Sequence, residues 1–93
     1  MYVASVRIEL FLPYAHTLKE KRALLGRIKD RMKNIGAAVA EVDHPDLWQR
    51  AALGVAVVAG EADALAGRLS ALRDIVARQD GVELLDWIEA HHE

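Results

Sequence analysis

The stretch Glu41-Val-Asp-His-Pro-Asp-Leu-Trp-Gln-Arg50 gathers three carboxylates, a histidine, an arginine and one of the chain's two tryptophans into ten residues. Asp43, His44 and Asp46, with His16 from an earlier segment, are side chains of the kind that ligate a divalent metal or shuttle protons. Their spacing matches no defined ligand motif. Pro45 and Asp46 are also ordinary turn formers. Nucleophilic chemistry has less to draw on. There is no cysteine, and Ser5 and Ser70 are the only serines. The topology derived below brings no histidine to either of them, and no glycine-rich phosphate loop is present. The reading is therefore a non-enzymatic protein with no metal and no cofactor. A small enzyme or metal binder at the His16/Asp43/His44/Asp46 corner is the lesser alternative.

Charge points elsewhere. The net charge is −2, yet residues 17–33 hold Lys19, Lys21, Arg22, Arg27, Lys29, Arg31 and Lys33, opposed only by Glu20 and Asp30. From Glu61 onward eight acids face three arginines. One segment is built to meet an anion, or both are solvated faces. No run approaches the roughly 20 apolar residues of a membrane span, and Arg7 and Glu9 interrupt the N-terminal apolar run. A single cytoplasmic domain over residues 1–93 is expected.

The elements that position these groups follow from periodicity. Residues 2–12 alternate, with Ala4, Val6, Ile8 and Leu10 on one side and Ser5, Arg7 and Glu9 on the other, which is a half-buried strand. Thr17-Leu-Lys-Glu20 is a capping box opening a helix to about Asn34, with Leu24, Leu25, Ile28, Met32 and Ile35 as its apolar stripe and Gly36 as its stop. Residues 36–44 read as a second strand, with Ala38, Ala40 and Val42 inward, because the opposite facing would bury Glu41. Residues 50–59 are a third strand with Leu53, Val55 and Val57 inside. Residues 61–78 form a second helix, and 82–90 a last strand of ambiguous facing. His91 and His92 read as a frayed end.

The order βαββαβ with right-handed crossovers gives an α+β fold, the ferredoxin-like sandwich. Its four-stranded antiparallel sheet has the order 4-1-3-2, with two helices on one face. That topology sets residues 13–17 beside residues 43–49. His16, His44, Asp43, Asp46, Lys19, Lys21, Arg22, Arg50, Tyr14 and Trp48 then share one end. Lys21 falls within the apolar stripe of its helix, so it must snorkel to water or meet a carboxylate, with Asp43 and Asp46 the nearest by topology, or else stand ready for an anion. Trp48 either caps the end of the core or offers a stacking platform.

Two segments together, TLKEKRALLGRIKDRMKN and AEVDHPDLWQRAALGVAVVAG, resemble the YlxP-like family of small bacterial proteins, a domain-of-unknown-function family numbered 503. Matching positions include Leu18-Lys-Glu-Lys-Arg22 and Asp46-Leu-Trp-Gln-Arg50. Thr17 stands where serine is common, and Pro45 where a polar residue is expected. The resemblance implies a ferredoxin-like α/β sandwich. By gene association it implies a role near translation or ribosome assembly. It brings no activity and no catalytic residues.

Two binding surfaces are thus expected. Lys19, Arg22, Lys29 and Lys33 lie within a stripe of about 80° on the first helix; with Trp48 and Arg50 they form a candidate contact for RNA or a ribosomal particle. Ala52, Gly54, Ala56 and Val58, fringed by Arg7, form an open sheet face suited to a second copy of the chain.

Overall fold

The computed structural model describes residues 1–92. The elements run β1 (Tyr2–Phe11), α1 (Leu18–Asn34), β2 (Ala38–Asp43), β3 (Arg50–Ala59), α2 (Ala62–Ala77) and β4 (Glu83–His92). The sheet order is β2-β3-β1-β4, every pair antiparallel, and both helices cover one face. This is the ferredoxin-like βαββαβ arrangement, and the helices' apolar stripes meet the inward residues of the two central strands. Ala4, Val6, Ile8 and Leu10 of β1 and Ala51, Leu53, Val55 and Val57 of β3 pack against Leu25, Ile28 and Met32 of α1 and Leu65, Leu69, Leu72 and Val76 of α2. No helix among the described residues is long and apolar enough to cross a membrane.

Local chemistry fixes the helix ends. The Thr17 hydroxyl accepts the Glu20 amide at 3.0 Å, and the Glu20 carboxylate returns to that hydroxyl at 3.4 Å. At the other end Gly36 adopts φ 85°, and the amides of Gly36 and Ala37 close back on the carbonyls of Lys33 and Met32. Arg68 of α2 donates to the Ile35 carbonyl at 3.0 Å, which ties the second helix to the end of the first. The β1–α1 connection and the β2–β3 turn lie side by side, as topology requires. Leu12 N–H donates to the Gln49 carbonyl, and Gln49 Nε2 donates to the carbonyls of Pro13 and Ala15.

Two expectations about facing are corrected. In β2 it is Val39 and Glu41 that turn toward the helices, while Ala38, Ala40 and Val42 lie on the open face. Glu41 pairs with the buried Leu53, and a register shift between Glu41 and Asp43 leaves Val42 as an extra residue. Glu41 is only half-buried there, and the ammonium of Lys21 lies against its carboxylate. The second correction concerns the C-terminal end. His91 and His92 continue β4, paired with Ala4 and Val3. On β4 Trp87 faces the helices, with the Arg73 guanidinium 4.4 Å from its ring centroid, and Ile88 faces out.

Candidate functional site

Lys21 sits in the apolar stripe of α1 with 1% of its surface exposed. Its ammonium donates to the His44 carbonyl at 2.6 Å and lies 2.8 Å from Glu41 Oε2. The predicted partners, Asp43 and Asp46, are not the ones it uses. The turn is the correct one, but the carboxylate comes from the inward face of β2, one strand position earlier. Asp43 instead accepts the His44 amide at 2.8 Å and Arg7 Nη2 at 3.1 Å. Asp46 lies on the exposed turn beside Trp48.

His44 holds φ 59°, the left-handed region that a residue other than glycine adopts mainly in tight turns. The conformation is held by four partners. Asp43 takes its N–H, Lys21 and the Leu47 N–H share its carbonyl, and its Nε2 lies 3.3 Å from Glu9 Oε1. The carbonyl serves the helix layer and the imidazole serves the open face of the sheet.

On that open face the charges form one cluster around Glu9. Arg7 Nη1 donates to Glu9 Oε1 at 2.6 Å, and Arg50 Nη2 donates to Glu9 Oε2 at 3.0 Å. Glu9 is buried although no helix covers it; its own ion-pair partners do so. Burial alone would raise its pKa. The hydrogen bonds from Arg50, Arg7 and His44 outweigh it, and the carboxyl is lowered to about 2. Such a group is already ionised near neutrality and is a weak base, so it is badly placed for general acid–base work. With Asp43 on Arg7, two carboxylates balance two guanidinium groups.

Below the cluster the face is small and apolar. Ala38, Ala40, Val42, Gly54, Ala56 and Arg7 bound a groove of about 510 Å³. A Cβ added at Gly54 would come 2.7 Å from Val42 Cγ1, so glycine is what lets the bulged Val42 lie across the sheet. Val42, Val58 and Ile88 are each about half exposed here. Of the self-association residues read from sequence, Arg7, Gly54, Ala56 and Val58 lie on this face within reach of solvent, while Ala52 is fully covered.

The basic residues are divided by the sheet. Lys19, Arg22, Lys29 and Lys33 lie on α1, and none forms an ion pair among the described residues. Arg50, grouped with them by sequence, is committed to Glu9 on the opposite side, and this corrects the grouping. Trp48 is 52% exposed and lies outside the core cluster, so it does not cap the core. The His16/Asp43/His44/Asp46 corner is not assembled either. His16 is exposed, His44 turns to Glu9, and among the described residues no three His, Asp or Glu side chains converge as metal ligands.

One pair escaped the sequence reading. Ser5 Oγ lies 2.7 Å from His92 Nε2, a contact ruled out there because the C-terminal end was read as frayed. Extending the outward set Ser5, Arg7, Glu9 across to β4 would have signalled it. The imidazole of His92 has no orienting carboxylate among the described residues, so the pair lacks the third member of a hydrolytic triad. Next to it, Glu89 accepts from His91 at 2.9 Å and from Trp87 Nε1 at 3.3 Å. The His91 hydrogen bond, working against burial, holds its carboxyl below the ordinary range.

Fold and face together define a ferredoxin-like domain with a neutralised charge cluster on an open sheet. The chain belongs to the family described as protein of unknown function (DUF503), which matches residues 3–88. A 57-residue stretch is 44% identical to the uncharacterized protein YlxP of Bacillus subtilis (strain 168). It spans 60% of this chain and 62% of that protein, less than two thirds of the relative's length. Among solved structures, the de novo designed protein Foldit4 superposes with a TM-score of 0.52 at 15% identity, over 99% of this chain and 98% of that one. At that identity the likeness is one of fold.

Proposed function

We propose that this chain is a non-enzymatic, cytoplasmic binding protein that engages RNA or a ribosomal particle through α1 and the β2–β3 turn. One observation carries the reading: Lys19, Arg22, Lys29 and Lys33 line one side of α1 without intramolecular acid partners among the described residues. An unneutralised basic helix face contacts phosphates without reading sequence. The half-exposed Trp48 adds a stacking surface at the N-terminal end of the same helix, because its neighbour Gln49 is bonded to the segment that leads into the Thr17 cap. Arg50 takes no part, since releasing it would strip Glu9 of a cation.

The test is cosedimentation with ribosomal subunits, and fluorescence titration with single-stranded RNA, at low and high salt. Binding is expected to weaken with salt at a log–log slope of about −0.7 per phosphate neutralised. Reversal of Lys19, Arg22, Lys29 and Lys33 to Glu abolishes it without unfolding the protein, because none of the four belongs to the buried stripe. A wild-type chain that binds neither RNA nor subunits at low salt overturns the reading.

A further inference from the structure

We propose that α1 lies across the wide, shallow groove of double-stranded RNA, with Gly26 over the groove and a pair of cations on the phosphates to either side. This rests on the reading of α1 as an RNA contact and names the form of RNA it takes. At about 100° per residue, Lys19, Arg22, Gly26, Lys29 and Lys33 fall within a sector of about 80°, and no other residue of α1 enters it. The acids of the helix stay outside. Glu20 is on the far side, and Asp30 borders the sector without forming an ion pair among the described residues. The sector also faces outward. Leu24, on the opposite side of the helix, reaches the Gly81 corner between α2 and β4, and Arg68 of α2 holds the Ile35 carbonyl on that same side. The stripe is therefore turned away from α2. The strand on its side is β2, the edge of the sheet, and among the described residues no element lies beyond it to bar a large ligand.

Gly26 decides the form of the ligand. A glycine inside a helix destabilises it relative to alanine. Close packing within the fold is the ordinary reason for one, but a Cβ added at Gly26 meets nothing within 4 Å. The bare backbone serves no neighbour in the chain, and its place in the middle of the basic sector lets an outside ligand reach the helix surface. Along the axis Lys19 with Arg22 and Lys29 with Lys33 make two cation pairs. Between Arg22 and Lys29 lie about 10 Å of helix that carry only Gly26 in this sector. Paired cations around a bare gap suit two rows of phosphate with a shallow groove between them. The minor groove of A-form RNA is wide and shallow, and it is recognised by shape and by contacts to phosphate and 2′-hydroxyl. Duplex DNA fits less well. Its minor groove is about 6 Å wide, narrower than a helix of about 10 Å, and its major groove is read by long polar side chains, which Gly26 lacks. A single strand has no second row of phosphates for the second pair of cations.

Fluorescence anisotropy at low salt, with a labelled RNA duplex, the DNA duplex of the same sequence and the single RNA strand, tests the proposal. The wild type is expected to bind the RNA duplex more tightly than either of the others, by about tenfold or more. Gly26→Gln probes the close approach, because it puts a long neutral side chain into the gap and leaves all four cations in place. Glutamine is a good helix former and its Cβ meets no other residue, so the variant folds, as circular dichroism checks. It is expected to weaken duplex RNA binding by about tenfold with an unchanged salt slope, whereas charge alone would leave the affinity unaltered. Single-stranded RNA or duplex DNA binding as tightly as duplex RNA, or Gly26→Gln binding as the wild type does, overturns the duplex proposal and leaves RNA binding by α1 standing. Absence of binding to either form of RNA overturns both.

Discussion

The ammonium of Lys21 lies 2.6 Å from the carbonyl oxygen of His44, twenty-three residues further along the chain. With Glu41 Oε2 at 2.8 Å, that contact converts a lysine in an apolar stripe into the pin between α1 and the β2–β3 turn. Lys21→Ala leaves Glu41 half-buried and without its cation, and is expected to cost about 3–5 kcal/mol. Lys29→Ala, which removes a half-buried lysine with no ion-pair partner among the described residues, should cost far less, within about 1 kcal/mol of wild type. Urea denaturation midpoints compare the two directly. Pairing Lys21→Met with Glu41→Leu should recover much of the loss, because both charges then leave together.

Glu9 sets an acid limit. Its folded pKa of about 2 lies below its ordinary value, so its stabilising share is fully present above about pH 4.5 and is lost as pH falls through the folded value. Thermal unfolding of the wild type should therefore show a falling midpoint between about pH 4.5 and 2. Glu9→Gln should be less stable than wild type at neutral pH and show a flatter profile across that window.

Gly54 and Val42 should behave as one unit. Gly54→Ala places a Cβ against Val42 Cγ1 and is expected to destabilise by about 1–3 kcal/mol. Val42→Ala in the same chain removes the obstruction, so the double variant should be more stable than Gly54→Ala alone. A double-mutant cycle measures the difference.

Gly26 offers the opposite case. It sits inside α1, and an added Cβ meets nothing within 4 Å. Gly26→Ala should stabilise the fold by about 0.5–1 kcal/mol through helix propensity alone, read as a raised denaturation midpoint.

Trp48→Ala separates stacking from packing. The exposed ring predicts little change in stability. If the ring stacks on a base, affinity for single-stranded RNA falls by about 1–3 kcal/mol while the salt slope stays the same. Fluorescence titration at two salt concentrations reads both quantities.

The core strands and helices were legible in sequence because each carries a clear pattern: alternation in β1, a continuous apolar run in β3, three-and-four spacing in α1 and α2. β2 was misread for an instructive reason. Glu41 was treated as barring its face from the core, and Lys21 as needing a carboxylate from the turn. Each was the other's partner, and pairing the two buried charges first would have given both the facing of β2 and the pin. The Glu9 cluster was partly legible, since Arg7 and Glu9 share the outward set of β1. Arg50 was assigned to α1 because proximity along the chain was weighed above which face of the sheet it occupies. No pattern in the sequence announces the extra residue at Val42, which arises from how β2 meets β3.

His44 belongs to both layers at once: its carbonyl is held from the helix side by Lys21, and its imidazole touches Glu9 on the open sheet. A change that shifts His44 is therefore felt on both sides of the sheet: it loosens the Lys21 contact that ties α1 to the turn and withdraws an imidazole from Glu9. Substitution at this one turn position probes the helix layer and the open face together.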